Sequence, residues 1–460
     1  MGLVNQIIAS AEQLEVSKAF IFLTIFLIVI PVGSILASAK PVLRNVAFIL
    51  MLYFTCWAWM YHIAPIPVWT GTARGFALSM VDIFSSILLL SMIIDSRSRV
   101  TLLPLGFWTY LLYFFFILLS GIHAKYPIIW GFEVVKMCWM YIFFLAAYNF
   151  IINYKSLWLI VYTVIGILIF LLVIAMWQKY IAHTGFQVSS TMPHQNSLAL
   201  YVSLFGSFLL GIFLNEKISS KQAFWLTAGL FSSSLLIIFT YSRGGILAYA
   251  IGLSIVIGVT VVLRGFTSRG IFVLLLMFVG GLFIVSYAMP NLIRRFYGAP
   301  DISRITRERL AKAAIRIADV HFLGVGANHF SIYSGPFYEY AAEIHEQRRN
   351  VDEDSTWPLG GIVETIYLLV AAECGWLGMV SLLIFFFYYL SRVFLELFYL
   401  RHCECFGVAA GIFGGLCSNY IHSLAEWSLK QYGNFYQLMF VFALIAAIWV
   451  SRKNIGARQR

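Results

Sequence analysis

The chain alternates between apolar runs of about twenty residues and short polar breaks, and a run of that length carries an α-helix across the hydrocarbon core of a bilayer. The runs lie near 17–37, 43–63, 75–94, 102–121, 130–151, 156–177, 195–214, 223–241, 244–263, 270–289, 366–391, 405–424 and 433–451. Only Ser242 and Arg243 separate the eighth from the ninth. The stretch from about 290 to 365 leaves this rhythm. The expected fold is therefore all-α, a polytopic integral membrane bundle of about 12–13 transmembrane helices with one large loop. By stretch, 1–289 forms an N-terminal bundle of about ten helices, 290–365 the loop, and 366–460 the last helices with a basic tail. The first run is expected as a retained helix and not a cleaved leader, because Glu12 and Glu15 stand before it where a signal peptide has a basic cluster.

Basic side chains assign the sides. Lys40 and Arg44, Arg97 and Arg99, Lys155, Lys217 and Lys221, Arg264 and Arg269, Arg392 and Arg401, and the tail to Arg460 fall in alternate breaks, which the positive-inside rule makes cytoplasmic. The C-terminus is then inside, and the 290–365 loop lies on the outer face. Composition agrees: a chain that is 61% hydrophobic and 11% charged has too little polar surface for a water-soluble globule. The net charge of +11 would suggest a nucleic acid partner in a soluble protein, but here it marks topology, so the expected surroundings are the bilayer and no nucleic acid. The six cysteines fall mostly in or beside apolar runs, where thiols pack as small hydrophobes. No disulfide framework is expected. Cys403 and Cys405 lack the further ligands a metal site needs.

Loops as long as 290–365 usually carry function, and this one holds about nine basic and ten acidic side chains. Arg304–Ala318 has the spacing of a helix, the run Gly324-Val325-Gly326-Ala327-Asn328 that of a turn, and the stretch 338–354 is polar. Arg243 opens an apolar run at the same outer side and is followed by two glycines. The amides of a helix N-terminus there would add positive potential, which suits a phosphate; an arginine snorkelling to lipid headgroups accounts for the same residue. His194 and Asn196 stand at the outer mouth of the seventh run, where a sugar-binding and a helix-capping role are both open. Asp82, Glu133, Lys136, Glu373 and Glu426 lie within runs and should face the bundle interior, with Glu133 and Lys136 close enough on one helix face to neutralise each other. Glu364 sits where the loop returns to the membrane, and partial desolvation there strengthens a carboxylate as a base.

Pro193-His194-Gln195-Asn196, Ser242-Arg243-Gly244-Gly245, the stretch from Arg307 to Gly324-Val325-Gly326-Ala327-Asn328-His329-Phe330, and Ala372-Glu373-Cys374-Gly375-Trp376-Leu377-Gly378 follow one another in order. Together they resemble the O-antigen ligase and Wzy polymerase superfamily of membrane-embedded transferases acting on lipid-linked glycans, over most of the C-terminal two thirds. Ligases of that family carry a His, ten residues and a Gly at the loop's return; here Glu364 takes the His position and Gly375 the Gly position.

The resemblance implies a bacterial inner-membrane enzyme, with its loop in the periplasm, that transfers glycan from an undecaprenyl diphosphate donor. Glu364 would be the catalytic base. Arg243 and Arg307 would bind the donor diphosphate, with Arg309 as the alternate to Arg307. His194, Asn196, Asn328 and His329 would contact glycan or acceptor, and neither metal nor cofactor would be required. The substitution at 364 favours an inverting polymerase of exopolysaccharide or O-antigen repeat units over a ligase to lipid A-core or protein. Partners in that pathway would be a chain-length regulator or a flippase. A transporter is the competing class, but such folds commonly show two related halves, and this chain shows one lopsided loop and no evident duplication.

Overall fold

The structure, a computed structural model, describes residues 16–57, 60–63, 71–154, 156–265, 268–272, 275, 301–341 and 360–458. Most of the run expected at 270–289, Glu12, Glu15, Lys155, Arg460 and most of the polar stretch 338–354 lie outside the described residues.

The first helix, α1 (Lys18–Ala39), contains a π turn at Ile25–Val29. Next, α2 (Pro41–Tyr53) opens on a proline at its first position, where the missing amide costs nothing. A two-stranded antiparallel hairpin follows, β1 (Tyr61–Ile63) on β2 (Phe76–Leu78), with Tyr61 opposite Leu78. Then come α3 (Met80–Ile94), α4 (Phe107–Ser120), α5 (Pro127–Tyr154), α6 (Leu157–Tyr180), α7 (Gln195–Asn215), α8 (Ser220–Thr240), α9 (Arg243–Arg264), α10 (Asp301–Val320), α11 (Ile366–Tyr399), α12 (Phe406–His422) and α13 (Tyr432–Arg458). Among the described residues, eight helices are long and apolar enough to cross a membrane. The chain is a multi-pass, all-α membrane protein.

The hairpin is the main departure from expectation. The runs at 43–63 and 75–94 are each part helix and part strand, so α2 and α3 are shorter than the runs that announced them. Short apolar segments do not distinguish strand from helix by periodicity. The start of α3 is fixed locally: Ser79 Oγ accepts from the Asp82 amide, and the Asp82 carboxylate accepts from the Ser79 amide at 2.8 Å, a capping box.

The chain divides into two compact units: Met1–Thr163 with Arg309–Tyr389 and Ser423–Arg460, and Val164–Glu308 with Leu390–His422. In the second unit α7 is buried along its length and packs on α8, α9 and α12. Small residues bring these helices close, as expected where lipid tails offer no hydrophobic drive. A Cβ on Gly211 would stand 2.2 Å from the Gly407 carbonyl oxygen, and one on Gly245 would stand 2.4 Å from the Ala199 Cβ. The pairs Gly245 with Ala199, Gly206 with Tyr249, and Asn215 with Thr260 run in the same direction along both helices. Thus α7 and α9 are parallel, with their N-termini at one end.

In the first unit α5 packs on α3 and α13. Asp82, Glu133, Lys136, Glu373 and Glu426 are all buried, as their place within apolar runs requires. Glu133 pairs with Lys136 at 3.1 Å. The pair is half of a larger group: Lys430 Nζ lies 2.7 Å from Glu373 Oε2 and 3.4 Å from Glu133 Oε1, and the Thr72 hydroxyl donates to Glu133 Oε2 at 2.8 Å. Two lysines and two glutamates thus neutralise one another inside the bundle.

Candidate functional site

The loop helix α10 extends the helix expected at Arg304–Ala318 to Asp301–Val320. Leu310, Ala313, Ala314 and Ile317 form its buried stripe and join Val325, Phe330, Val363, Leu369 and Ala372 in one apolar cluster, the spacing of a helix packed on one side. Arg307 is exposed and Arg309 is half-buried. Residues two apart on a helix do not share a face, so the two arginines look to different sides.

After α10 the chain makes the expected turn. Gly324, Gly326 and Asn328 have φ of 74°, 104° and 66°, left-handed conformations that favour glycine and asparagine. The turn docks on a break in α11. At Gly375 (φ 77°, ψ 170°) the helix is kinked, which frees carbonyls from the helical ladder. The Val325 amide donates to the Ala372 carbonyl at 3.1 Å, and the Gly326 amide donates to that of Glu373 at 3.0 Å. A Cβ on Gly375 would lie 2.0 Å from the Phe322 carbonyl oxygen, and one on Gly324 would lie 2.3 Å from the Glu373 backbone. Glycine at 375 is therefore a demand of backbone-to-backbone contact, and it sets the register of the return segment that carries Glu364.

Asn328 and His329 are fully enclosed. The Asn328 side-chain amide donates to the carbonyls of Ala73 (2.8 Å) and Ile129 (3.1 Å). His329 Nε2 accepts from the Tyr126 amide at 3.1 Å, which leaves the proton on Nδ1, 2.9 Å from the Ala327 carbonyl it donates to. Burial pushes the His329 imidazole down to about 4. Glycan contact by either residue would require this turn to open. Glu364 lies half-buried two residues before α11, with its Oε2 enclosed, next to Val363 of the apolar cluster. The following Thr365 supplies the carbonyl that accepts from the Leu369 amide at 3.0 Å.

The second unit gathers the other candidates at the paired N-termini of α7 and α9. His194 caps α7, its Nδ1 accepting from the Asn196 amide at 3.2 Å. Its pKa is lowered by burial and then by the charge of Arg307, which places that guanidinium within electrostatic reach. Ser242 caps α9, its hydroxyl accepting from the Gly245 amide at 3.1 Å, and Arg243, half-buried, is the first residue of the helix. Tyr241 precedes them at φ 46°, the left-handed residue that turns the chain from α8 into α9 within two residues. Lys179 lies against the Tyr241 and Phe239 rings, 4.8 Å and 4.4 Å from their centroids. Two helix N-termini with Lys179, Arg243 and Arg307 make one end of this unit a natural seat for an anion.

The linear sequence did not disclose Lys430 or His422. Lys430 meets Glu373 across 57 positions, and His422 closes an apolar run with no motif around it. Residues 228–383, which contain Arg243, Arg307, Arg309, Asn328, His329 and Glu364, match the family model described as O-antigen ligase. A search of curated proteins gave no match.

Proposed function

We propose, from the match of residues 228–383 to the family model described as O-antigen ligase, that the chain is a membrane glycan transferase that polymerises repeat units of a bacterial cell-surface polysaccharide, taking them from an undecaprenyl-diphosphate-linked oligosaccharide. The observation that carries the reading is that the matched stretch holds both the cationic helix end at Arg243 and the half-buried carboxylate of Glu364 at the loop's return. Glu364 takes the proton from the acceptor sugar hydroxyl as its oxygen attacks the anomeric carbon. The bond from that carbon to the phosphate oxygen breaks, and the diphosphate leaves with the electron pair. Arg243 and Arg307 meet its charge, and charge-assisted bidentate bonds suit guanidinium to that task. A single displacement inverts the anomeric centre. The guanidinium groups supply the counter-charge, so the scheme calls for no metal.

The chain would sit in the bacterial inner membrane with the 290–365 loop in the periplasm and its C-terminus in the cytoplasm, beside a chain-length regulator or flippase of the same pathway. His194 and Asn196 would line the approach of the glycan, while Asn328 and His329 would act by fixing the turn. Arg309, on the other side of α10 from Arg307, would contribute charge near the return segment. The second reading is a ligase with the same chemistry and another acceptor; the carboxylate at 364, where ligases of the family carry His, favours the polymerase.

The test is transfer by purified protein in lipid with a matching undecaprenyl diphosphate oligosaccharide. Elongated lipid-linked product, lost in Glu364→Gln and Arg243→Ala, supports the polymerase. Product only on lipid A-core or protein moves the assignment to ligase, and native-level transfer by Glu364→Gln removes the carboxylate base.

A further inference from the structure

His422 is the last residue of α12 and is 3% exposed, yet neither of its ring nitrogens has a hydrogen-bond partner among the described residues. A ring present only to fill space would be apolar, because an enclosed imidazole gives up its hydration with nothing in return. Its position narrows what could satisfy it. The Ser418 hydroxyl of α12 donates to the Ala248 carbonyl of α9 at 2.7 Å. One turn further on, the His422 ring reaches the first turn of α9, where a Cβ on Gly244 would stand 3.2 Å from Nε2 and 3.3 Å from Cδ2. A Cβ at 244 would press on the imidazole edge that lies against that turn.

The first turn of α9, against which Nε2 lies, presents donors. First-turn amides have no acceptor within the helix, Ser242 takes up that of Gly245, and Arg243 opens the same turn. A sugar hydroxyl brings donors as well as acceptors, whereas a phosphoryl group brings only acceptor oxygens and negative charge. The donor set selects the second.

We infer that His422 is a further phosphoryl-binding residue, its Nε2–H donating to an oxygen of the donor's diphosphate at the N-terminus of α9 beside Arg243. This rests on the donor chemistry proposed above and extends it to a residue beyond the stretch that matches the family. His422 on this account binds the diphosphate and exchanges no proton with it.

The test uses the full chain in nanodiscs titrated with undecaprenyl diphosphate. His422→Phe, which keeps a ring and removes both nitrogens, should raise Kd about 10-fold, equivalent to about 1.4 kcal/mol, without lowering the melting temperature. His422→Asn, which keeps a donor, should stay within about 3-fold of native. Native affinity in His422→Phe, with Arg243→Ala weakened, overturns the inference alone. No binding by the native chain overturns the donor reading and this inference with it. If exchanging phosphatidylcholine for phosphatidylglycerol in the disc competes away the bound diphosphate, the site is a headgroup site and the inference fails. Should His422→Phe not fold, 31P–15N coupling between diphosphate and histidine nitrogen in the native chain decides. It should be present at the His422 nitrogen, and its absence there overturns the assignment.

Discussion

Both units collect ionisable side chains, and they treat them in opposite ways. In the first unit Glu133, Lys136, Glu373 and Lys430 are enclosed and mutually neutral, with Lys430 2.7 Å from Glu373 and 3.4 Å from Glu133. In the second, Lys179, Arg243 and Arg307 stand at one end, half-buried or exposed, around two parallel helix N-termini. Charges that satisfy one another deep in a bundle hold helices in register. Cations gathered where helix dipoles add to them are arranged for something brought from outside. Asn328 and His329 sit in a recognisable motif, and their side chains are held by hydrogen bonds to backbone groups of the first unit.

The largest effect should come from breaking the neutral group. Lys430→Met leaves Glu373 and Glu133 short of a counter-ion in a dry interior and should cost about 3–5 kcal/mol, seen as a large drop in melting temperature of the purified protein. Adding Glu373→Gln should recover part of that loss; no recovery would mean the lysine is held by packing alone.

A pH effect follows from His329. Its folded value of about 4 lies below the unfolded value near 6.5, so the native state refuses a proton that the unfolded state accepts. The stability tied to this ring is present above pH 6.5, falls as pH drops from 6.5 to 4, and levels off below, by about 3 kcal/mol in all. His329→Gln should start lower and flatten that part of the melting-temperature profile; an unchanged slope would assign the acid sensitivity to other groups.

At the cationic end the effects should move to binding. Arg307→Ala should weaken donor binding about 10-fold, equivalent to about 1.4 kcal/mol, and should leave melting nearly unchanged. It should also raise the His194 pKa, measurable by NMR, because the guanidinium is one of the two causes that lower it. The smallest effect is His194→Ala, which removes a helix cap and should cost about 1 kcal/mol or less.

Much of this was legible in the sequence, and the reasons differ by element. Apolar runs announced the long helices, and three-residue spacing announced the Glu133–Lys136 pair. The phrase from Gly324 to Asn328 announced a turn through residues that tolerate positive φ. The hairpin Tyr61–Ile63 with Phe76–Leu78 was hidden because a three-residue strand at the end of an apolar run looks like part of an apolar helix. Lys430 was hidden because its partners come from α5 and α11, and no local spacing records a contact between distant segments. Gly375 was visible through the resemblance, but its cause, the Phe322 carbonyl that fills the space of a side chain, is a fact of packing.

The most direct test of the account measures melting and glycan transfer on the same preparations of Arg243→Ala and Lys430→Met, with an undecaprenyl diphosphate oligosaccharide as donor. The account predicts that Arg243→Ala melts like the native protein and loses transfer at least 10-fold, whereas Lys430→Met loses folding first. An Arg243→Ala protein that transfers at the native rate, or one that unfolds as readily as Lys430→Met, would contradict it.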